Sequence, residues 1–363
     1  MSAEVINLEL ADLAAARTFA DRHIRPDYLV FKDETYFTWQ FKTPCSEGID
    51  SGGACLALRE EDERLSALVV ARTEGIWARG RLIQGAWLHE LYAEPERQGA
   101  GMLLLRKMIR AHGFIGLAGH STYSSVVLGS LCPLIDFEVE RLFAVCDPKA
   151  TLALIAQPSE VTPSYVAMNR IGAVGGELEI LTGFDAVYDA DWADFRSRLS
   201  LATDRTAAMM RWRYLDHPVF RYHCRRVRTA FGNAYFVWRE EAVADRAERI
   251  ARICEAIGSP KALAAGFPAL HGEMTSKGIA FADFFCSNAA VLAGLAAGGM
   301  RRVIPHPDFD LPRLFAPLAL DMRRRLKFGF ALCPGALEDN WHDVSQTYFT
   351  KGDVNQDRPN RVL

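Results

Sequence analysis

The run Leu88-His89-Glu90-Leu91-Tyr92-Ala93-Glu94-Pro95-Glu96-Arg97-Gln98-Gly99-Ala100-Gly101-Met102-Leu103-Leu104-Leu105 constrains the fold more than any other part of the chain. It reads as a strand, a turn marked by Pro95, a glycine-rich loop and an apolar-periodic helix. Glycines at 99 and 101 let the backbone approach a ligand closely. The first helical turn then points N–H groups that lack intrahelical acceptors, and the positive end of the helix dipole, out of the loop. Such a loop cradles a pyrophosphate. The Lys and Ser/Thr of a Walker loop are missing, as are the third glycine and the downstream acid of a dinucleotide-binding fold, which excludes both common nucleotide fingerprints.

At about 150 residues per domain, the 363 residues suit two domains, each large enough for its own core. Half of the residues are hydrophobic and 24% are charged, which excludes a disordered chain. With 42 Lys+Arg against 45 Asp+Glu, no global field steers the protein to nucleic acid or an anionic membrane, so an anionic ligand must be held locally. The eight cysteines, at 45, 55, 132, 146, 224, 254, 286 and 333, form no Cys-x-x-Cys pair and no zinc spacing. No metal is expected, and a reducing cytoplasm fits best. The N-terminus lacks a basic region followed by an apolar one, so no secretory signal is expected.

Apolar spacing predicts an amphipathic helix over 8–23, and alternation predicts antiparallel strands over 54–58, 65–73 and 80–92. A helix over 101–112, a strand over 114–118, a helix after Thr122 and a strand over 137–145 follow. Strands, helix, strand, helix, strand is the order of an α/β sheet domain. Prolines at 148, 158 and 163 end this unit, and a boundary near residue 157 divides the chain into 1–157 and 158–363. The second half repeats the plan with a strand over 176–182, a helix over 190–201 and a hairpin over 222–238. Helices over 243–257 and 261–277, a strand over 279–285, a helix over 289–297 and a strand over 302–304 complete it. Two long apolar stretches, 113–135 and 278–300, are long enough to span a bilayer, but their polar residues, Asp283 among them, make each a buried strand feeding a helix. A weak repeat relates Tyr36-x-x-Trp39-x-Phe41-x-x-Pro44 to Arg211-Trp212-Arg213-Tyr214-x-x-x-Pro218.

The segment Gln98-Gly99-Ala100-Gly101-Met102-Leu103 resembles motif A of the GNAT acyltransferase superfamily, Gln/Arg-x-x-Gly-x-Gly/Ala after a Pro-marked turn, with Leu103 replacing the last small residue. The flanking strand Glu90-Leu91-Tyr92-Ala93 and the helix from Met102 to Ile109 fit the same family, as does the order of elements over 1–150. The resemblance implies two GNAT-like α/β domains, each a mixed, mostly antiparallel sheet flanked by helices. It implies an acyl-coenzyme A ligand, acetyl-CoA foremost, with its pyrophosphate on the backbone N–H groups of Gln98, Gly99, Ala100, Gly101, Met102 and Leu103, and its pantetheine along Leu91 and Ala93. An amine would attack the thioester directly in a ternary complex, with a base to take its proton and backbone donors for the oxyanion.

Strand alternation puts Glu90 and Tyr92 on one face and His89 and Leu91 on the other. Glu90 is the first candidate base; the plainer reading is a half-buried carboxylate paired with an arginine such as Arg81. His89 is the substitute, since imidazole titrates near neutrality; the plainer reading is a satisfied strand residue. Many family members protonate the departing thiolate with a tyrosine about four residues before a Gly-Phe pair. Here Ile135-Asp136-Phe137 puts Cys132 at that position, leaving Tyr123 and Cys132 as candidates.

The second half lacks the glycine loop. A two-lobed chain with one loaded site resembles Fem-type transferases and two-domain N-acyltransferases of nucleotide-linked amino sugars, which implies an amino-sugar acceptor in surface-polysaccharide synthesis. Trp212 and Tyr214 suit stacking on a sugar or base, with Arg213 on a phosphate; they equally suit core packing with a surface arginine. Lys351, Asp353, Asp357 and Arg358 either line a cleft between the lobes or belong to a solvated tail, and Arg323-Arg324-Arg325 is by default a solvated face. The rival functions are a Fem-like transferase using charged tRNA and a non-catalytic coenzyme A sensor or scaffold.

Overall fold

The computed structural model describes residues 3–26, 28–41, 55–119, 122–155, 162–167, 170–173, 175–303, 311, 326–333 and 343–353. The strands of the first half are β1 (Glu4–Asn7), β2 (Cys55–Arg59), β3 (Leu65–Ala78), β4 (Arg81–Ala93), β5 (Phe114–Ala118), β6 (Leu134–Glu138) and β7 (Glu140–Val145). Those of the second are β8 (Gly176–Ile180), β9 (Leu201–Thr203), β10 (His223–Thr229), β11 (Gly232–Ala242), β12 (Arg249–Ile257), β13 (Phe281–Cys286), β14 (Arg301–Arg302), β15 (Lys327–Leu332) and β16 (Thr347–Tyr348). They pair into two mixed, mostly antiparallel sheets flanked by helices, as expected for the fold class.

One sheet runs β1-β2-β3-β4-β5-β15-β6 and the other β14-β7-β13-β12-β11-β10-β8. Read from β8, the second repeats this path strand for strand, including one parallel pair along each, β4 with β5 and β12 with β13; β9, paired with β3, and β16, paired with β9, extend the first sheet off the path. The sheets do not divide along the chain at residue 157. β7 leaves the first half to pair with β13 and β14, and β15 leaves the second half to pair with β5 and β6. The halves have exchanged equivalent strands.

The contact between the halves follows the same approximate two-fold relation. Trp39, on the Glu34–Phe41 helix, stacks on Trp212, on the π-type turn Arg211–Leu215, with ring centroids 4.9 Å apart. Each indole N–H donates to the other residue's carbonyl at 3.1 Å. The weak repeat of the sequence is therefore a pair of segments that face each other. Because each ring is both stacked and anchored, a Trp39→Ala, Trp212→Ala double-mutant cycle should return a coupling of about 0.5–1.5 kcal/mol in chemical denaturation, with either single variant destabilised by about 3 kcal/mol.

Two readings of the sequence require correction. The charged segment predicted as a helix over 243–257 is the central strand β12, because Arg252 and Glu255 are buried in ion pairs with Asp283 and Arg205 rather than on a solvated face. The strand expected over 137–145 is two strands, β6 and β7, which enter different sheets.

Buried charge concentrates between the layers. Asp283 on β13 accepts from Arg141 at 2.7 Å and from Arg252 at 3.2 Å, and all three are buried. Arg72 pairs with Glu74 on β3, and Arg239 with Glu241 at the equivalent place on β11. The segments Val70-Ala71-Arg72-Thr73-Glu74 and Val237-Trp238-Arg239-Glu240-Glu241 thus mark a repeat more securely than the aromatic one does.

Candidate ligand cradle of the first half

β3 and β4 pair without interruption except at one point. Val70 lies opposite Glu90 and Ala71 opposite Leu88, so His89 is an inserted residue, a β-bulge. The bulge changes the expected faces. Leu88, Leu91 and Ala93 all turn toward the Ala100–Ala111 helix and its cluster. Glu90 and Tyr92 face the opposite layer, and His89 goes with them instead of with Leu91: its Nδ1 lies 2.6 Å from Nε2 of the buried Gln40. A bulge also sharpens strand twist. β4 and β5 pair from Gly85 with Phe114 to Leu88 with Leu117, after which β4 runs on to Ala93 while β5 ends at Ala118. The two strands open into a wedge.

At its mouth lies the glycine loop. Gly99 caps the Ala100–Ala111 helix with φ of +85°, a conformation that favours glycine, and a Cβ there would meet nothing within 4 Å. At Gly101 a Cβ would stand 3.7 Å from Leu91 Cδ1 and 3.9 Å from Ala93 Cβ, in the gap between helix and β4. Of the six expected donors, Ala100 N–H is taken by Arg97 O at 3.1 Å and Leu103 N–H by Gly99 O at 3.0 Å. Those of Gly101 and Met102 have no acceptor inside the helix. The loop is held in place from behind: Arg97 pairs with Glu60, and Glu94 with Arg64 and, at 3.2 Å, His23. Hydrogen bonds from Ser66 and then Arg97 hold the Glu60 carboxyl below its usual range.

The equivalent place in the second half is closed. The bulge recurs at Cys254, with Val237 opposite Glu255 and Trp238 opposite Ile253, and β12 and β13 diverge beyond Ile253 and Phe284. That wedge holds the chain's own segment 348–353. Thr350 bridges Cys286, Ser287 N–H donates to Phe349 O at 3.0 Å, and Ala256 N–H donates to the Tyr348 hydroxyl at 3.0 Å. The helix that follows, Pro260–Ser276, starts with a proline, is capped by Ser259 Oγ on Ala262 N–H at 3.1 Å, and is approached closely by Gly294 of the Ala289–Ala297 helix. Among the described residues, no strand pairs with β4 on the β5 side beyond Leu88 and the helix there has no side-chain cap, whereas in the other half the wedge is filled and the helix capped.

The structure places the remaining candidates as follows. Glu90 pairs with Arg25, not Arg81. Cys132 is buried in the apolar cluster under the Ala100–Ala111 helix, beside Cys333, whose thiol lowers its pKa by hydrogen bonding. It is packed as a core residue. Tyr123 belongs to the Thr122–Gly129 helix, but its side chain lies outside the described residues. Trp212 and Tyr214 are buried, the first on Trp39 and the second donating to Glu255 Oε1 at 2.7 Å, so neither face is offered to a sugar. Arg213 lies inside the same layer, 3.9 Å from Glu74. Lys351 and Asp353 are buried between the halves, where Asp353 accepts from Arg205 at 2.8 Å. Asp357, Arg358 and the Arg323–Arg325 run lie outside the described residues. The Glu255 network was missed from sequence; the Val-x-Arg-x-Glu repeat, which aligns β3 with β11 and so Glu90 with Glu255, was the signal for it. Among the described residues, no group of three or more His, Cys, Asp or Glu is placed to hold a metal, and no helix is long and apolar enough to cross a membrane.

The wedge, the bulge and the glycine-capped helix can be compared with known structures. A GCN5-related N-acetyltransferase from Anabaena variabilis superposes with a TM-score of 0.57 at 11% identity, over 92% of this chain and 73% of that one. The chain has the fold of the GCN5-related N-acetyltransferases. A probable N-acyltransferase from Enterococcus faecalis gives a TM-score of 0.55 at 12% identity, over 90% and 72% of the two chains. Saccharomyces cerevisiae N-myristoyltransferase with bound myristoyl-CoA gives 0.51 at 13%, over 100% and 85%. No protein-family model and no curated protein sequence matches the chain.

Proposed function

We propose that the protein is an acyl-CoA-dependent N-acyltransferase acting on the amino group of a small polar acceptor. The observation that carries this reading is the contrast between the two wedges. The second wedge takes a short extended stretch of backbone, Tyr348 to Thr350, bonded through the Phe349 carbonyl and amide to Ser287 before the chain turns at Lys351–Asp353. An equivalent wedge that no described segment occupies, with unbonded Gly101 and Met102 N–H groups at its mouth, suits an extended amide chain that ends in a phosphate group, which describes pantetheine and the pyrophosphate of coenzyme A. Gly99 and Gly101 leave the room such a ligand needs.

When bound, the thioester supplies an activated acyl carbon. The chain's own residues do the rest. In this reading Gly101 and Met102 N–H groups hold the pyrophosphate, Leu91 and Ala93 line the pantetheine, and Glu90, which lies beside the bulge and pairs with Arg25, takes the ammonium proton once Arg25 releases it. Glu90→Gln is then expected to lower kcat about 100-fold while leaving acyl-CoA affinity unchanged; lost affinity with unchanged kcat would make the pair with Arg25 purely structural. A fold whose members include a myristoyl-CoA complex does not by itself fix the acyl length.

The direct test is calorimetric titration with acetyl-CoA, followed by thiol release in the presence of a panel of amines that includes nucleotide-linked amino sugars. Micromolar binding with amine-dependent thiol release supports the reading. Binding without turnover for any amine favours a coenzyme A sensor, and no binding of coenzyme A at all overturns the cradle.

A further inference from the structure

Within that reading, the residues at the apex of the open wedge bear on which acyl group the site takes. A ligand laid in the wedge from its mouth at Gly99 runs along Leu91 toward the last parallel pair, Leu88 with Leu117. One residue below that pair on each strand are Trp87 and Gly116, directly opposite each other. The Trp87 indole covers this point on the face of the sheet away from the Ala100–Ala111 helix. It lies over Gly116 so closely that a Cβ on Gly116 would overlap the ring. It is fully buried, and it meets Phe114, Phe328 and Phe349 edge-on with centroids 5.2–6.0 Å away. Its N–H donates to Thr203 Oγ1 at 3.1 Å. Edge-on rings on three sides and an anchored N–H fix the indole, so it cannot swing away to admit a chain.

We infer that Trp87 is the specificity-determining residue for acyl length, closing the apex so that the site accepts short acyl groups, acetyl to butyryl, and rejects octanoyl and longer ones. Glycine at 116 serves this arrangement by letting the indole lie flat on β5. Thr203 comes from β9, which pairs with the end of β3, so the second half sets the floor of the first half's wedge.

The test is a calorimetric series on the wild-type protein with coenzyme A, acetyl-CoA, butyryl-CoA and octanoyl-CoA, each repeated in competition with coenzyme A to confirm a shared site. Octanoyl-CoA is expected to bind at least about tenfold more weakly than acetyl-CoA, since overpacking a closed core is unfavourable. Trp87→Leu should shrink that ratio to about threefold or less. If that variant does not fold, Thr203→Val, which keeps the volume and removes the anchor, should narrow the ratio in the same direction. Octanoyl-CoA binding to wild type as tightly as acetyl-CoA overturns the inference while leaving the cradle intact. Failure of coenzyme A itself to bind overturns both.

Discussion

Gly101→Glu is expected to abolish acyl-CoA binding, weakening it by at least about 100-fold in calorimetry, without unfolding the protein. The new side chain starts in the gap between the helix and β4, where a Cβ meets Leu91 and Ala93 only at ordinary contact distance. The backbone tolerates it, and helix propensity favours any such residue over glycine by about 0.5–1 kcal/mol. What the substitution removes is the ligand's place. A carboxylate at the mouth of the wedge competes for the Gly101 and Met102 N–H groups and repels a pyrophosphate, and like charges brought together at an interface cost several kcal/mol. Gly101→Ala adds only the Cβ and should retain binding to within about tenfold. A Gly101→Glu protein that still binds acetyl-CoA at wild-type affinity would move the anion site away from the loop.

The largest effect on stability is expected at Asp283. Its carboxylate is fully buried and bonds both Arg141 and Arg252, so Asp283→Asn removes the negative charge these two buried guanidinium groups share and should cost about 3–5 kcal/mol in urea or guanidinium unfolding. Burial alone would raise the Asp283 pKa, but the Arg252 and Arg141 charges outweigh it and bring it down to about 2, against an unfolded value of 3.8. A carboxyl whose folded pKa is depressed contributes its stability above the unfolded pKa and loses it as pH falls through the folded one. The gap between wild type and Asp283→Asn should therefore be full above about pH 4 and close progressively toward pH 2. A gap independent of pH across that window would mean that the carboxylate does not carry the difference.

How far the sequence revealed this molecule depended on whether the signal was local. β5 and the Ala289–Ala297 helix fall where apolar runs and turn residues predicted them. The apolar stretches 113–135 and 278–300 are each a strand feeding a helix, the same unit in the two halves. The glycine loop was legible because left-handed backbone at a helix cap selects glycine. The bulge at His89 was not, because one residue inserted into a ladder is visible only against its partner strand, and it upset the alternation used to sort His89 from Leu91. β12 was misread for a related reason: its charges face counter-ions contributed by Arg205 and Asp283, tens of residues away. The Trp212-Arg213-Tyr214 segment looked like a ligand platform because a sequence does not show that Trp39 covers Trp212 and Glu255 takes the Tyr214 hydroxyl.

The exchanged strands also set an order for biosynthesis. β5 is complete at Ala118, but its neighbour β15 ends only at Leu332, and β6 reaches the first sheet only through β15. At a synthesis rate of about 5–20 residues per second, the edges of β5 and β6 wait roughly 10–40 seconds for the strand that joins them. β7 waits in turn for β13 and β14. Both sheets are thus unfinished for most of translation, with open edges that invite pairing with the wrong chain. Soluble yield should therefore follow growth temperature and chaperone supply more closely than the stability of the finished protein, and a fragment ending near residue 157 would hold β7 with no sheet to join.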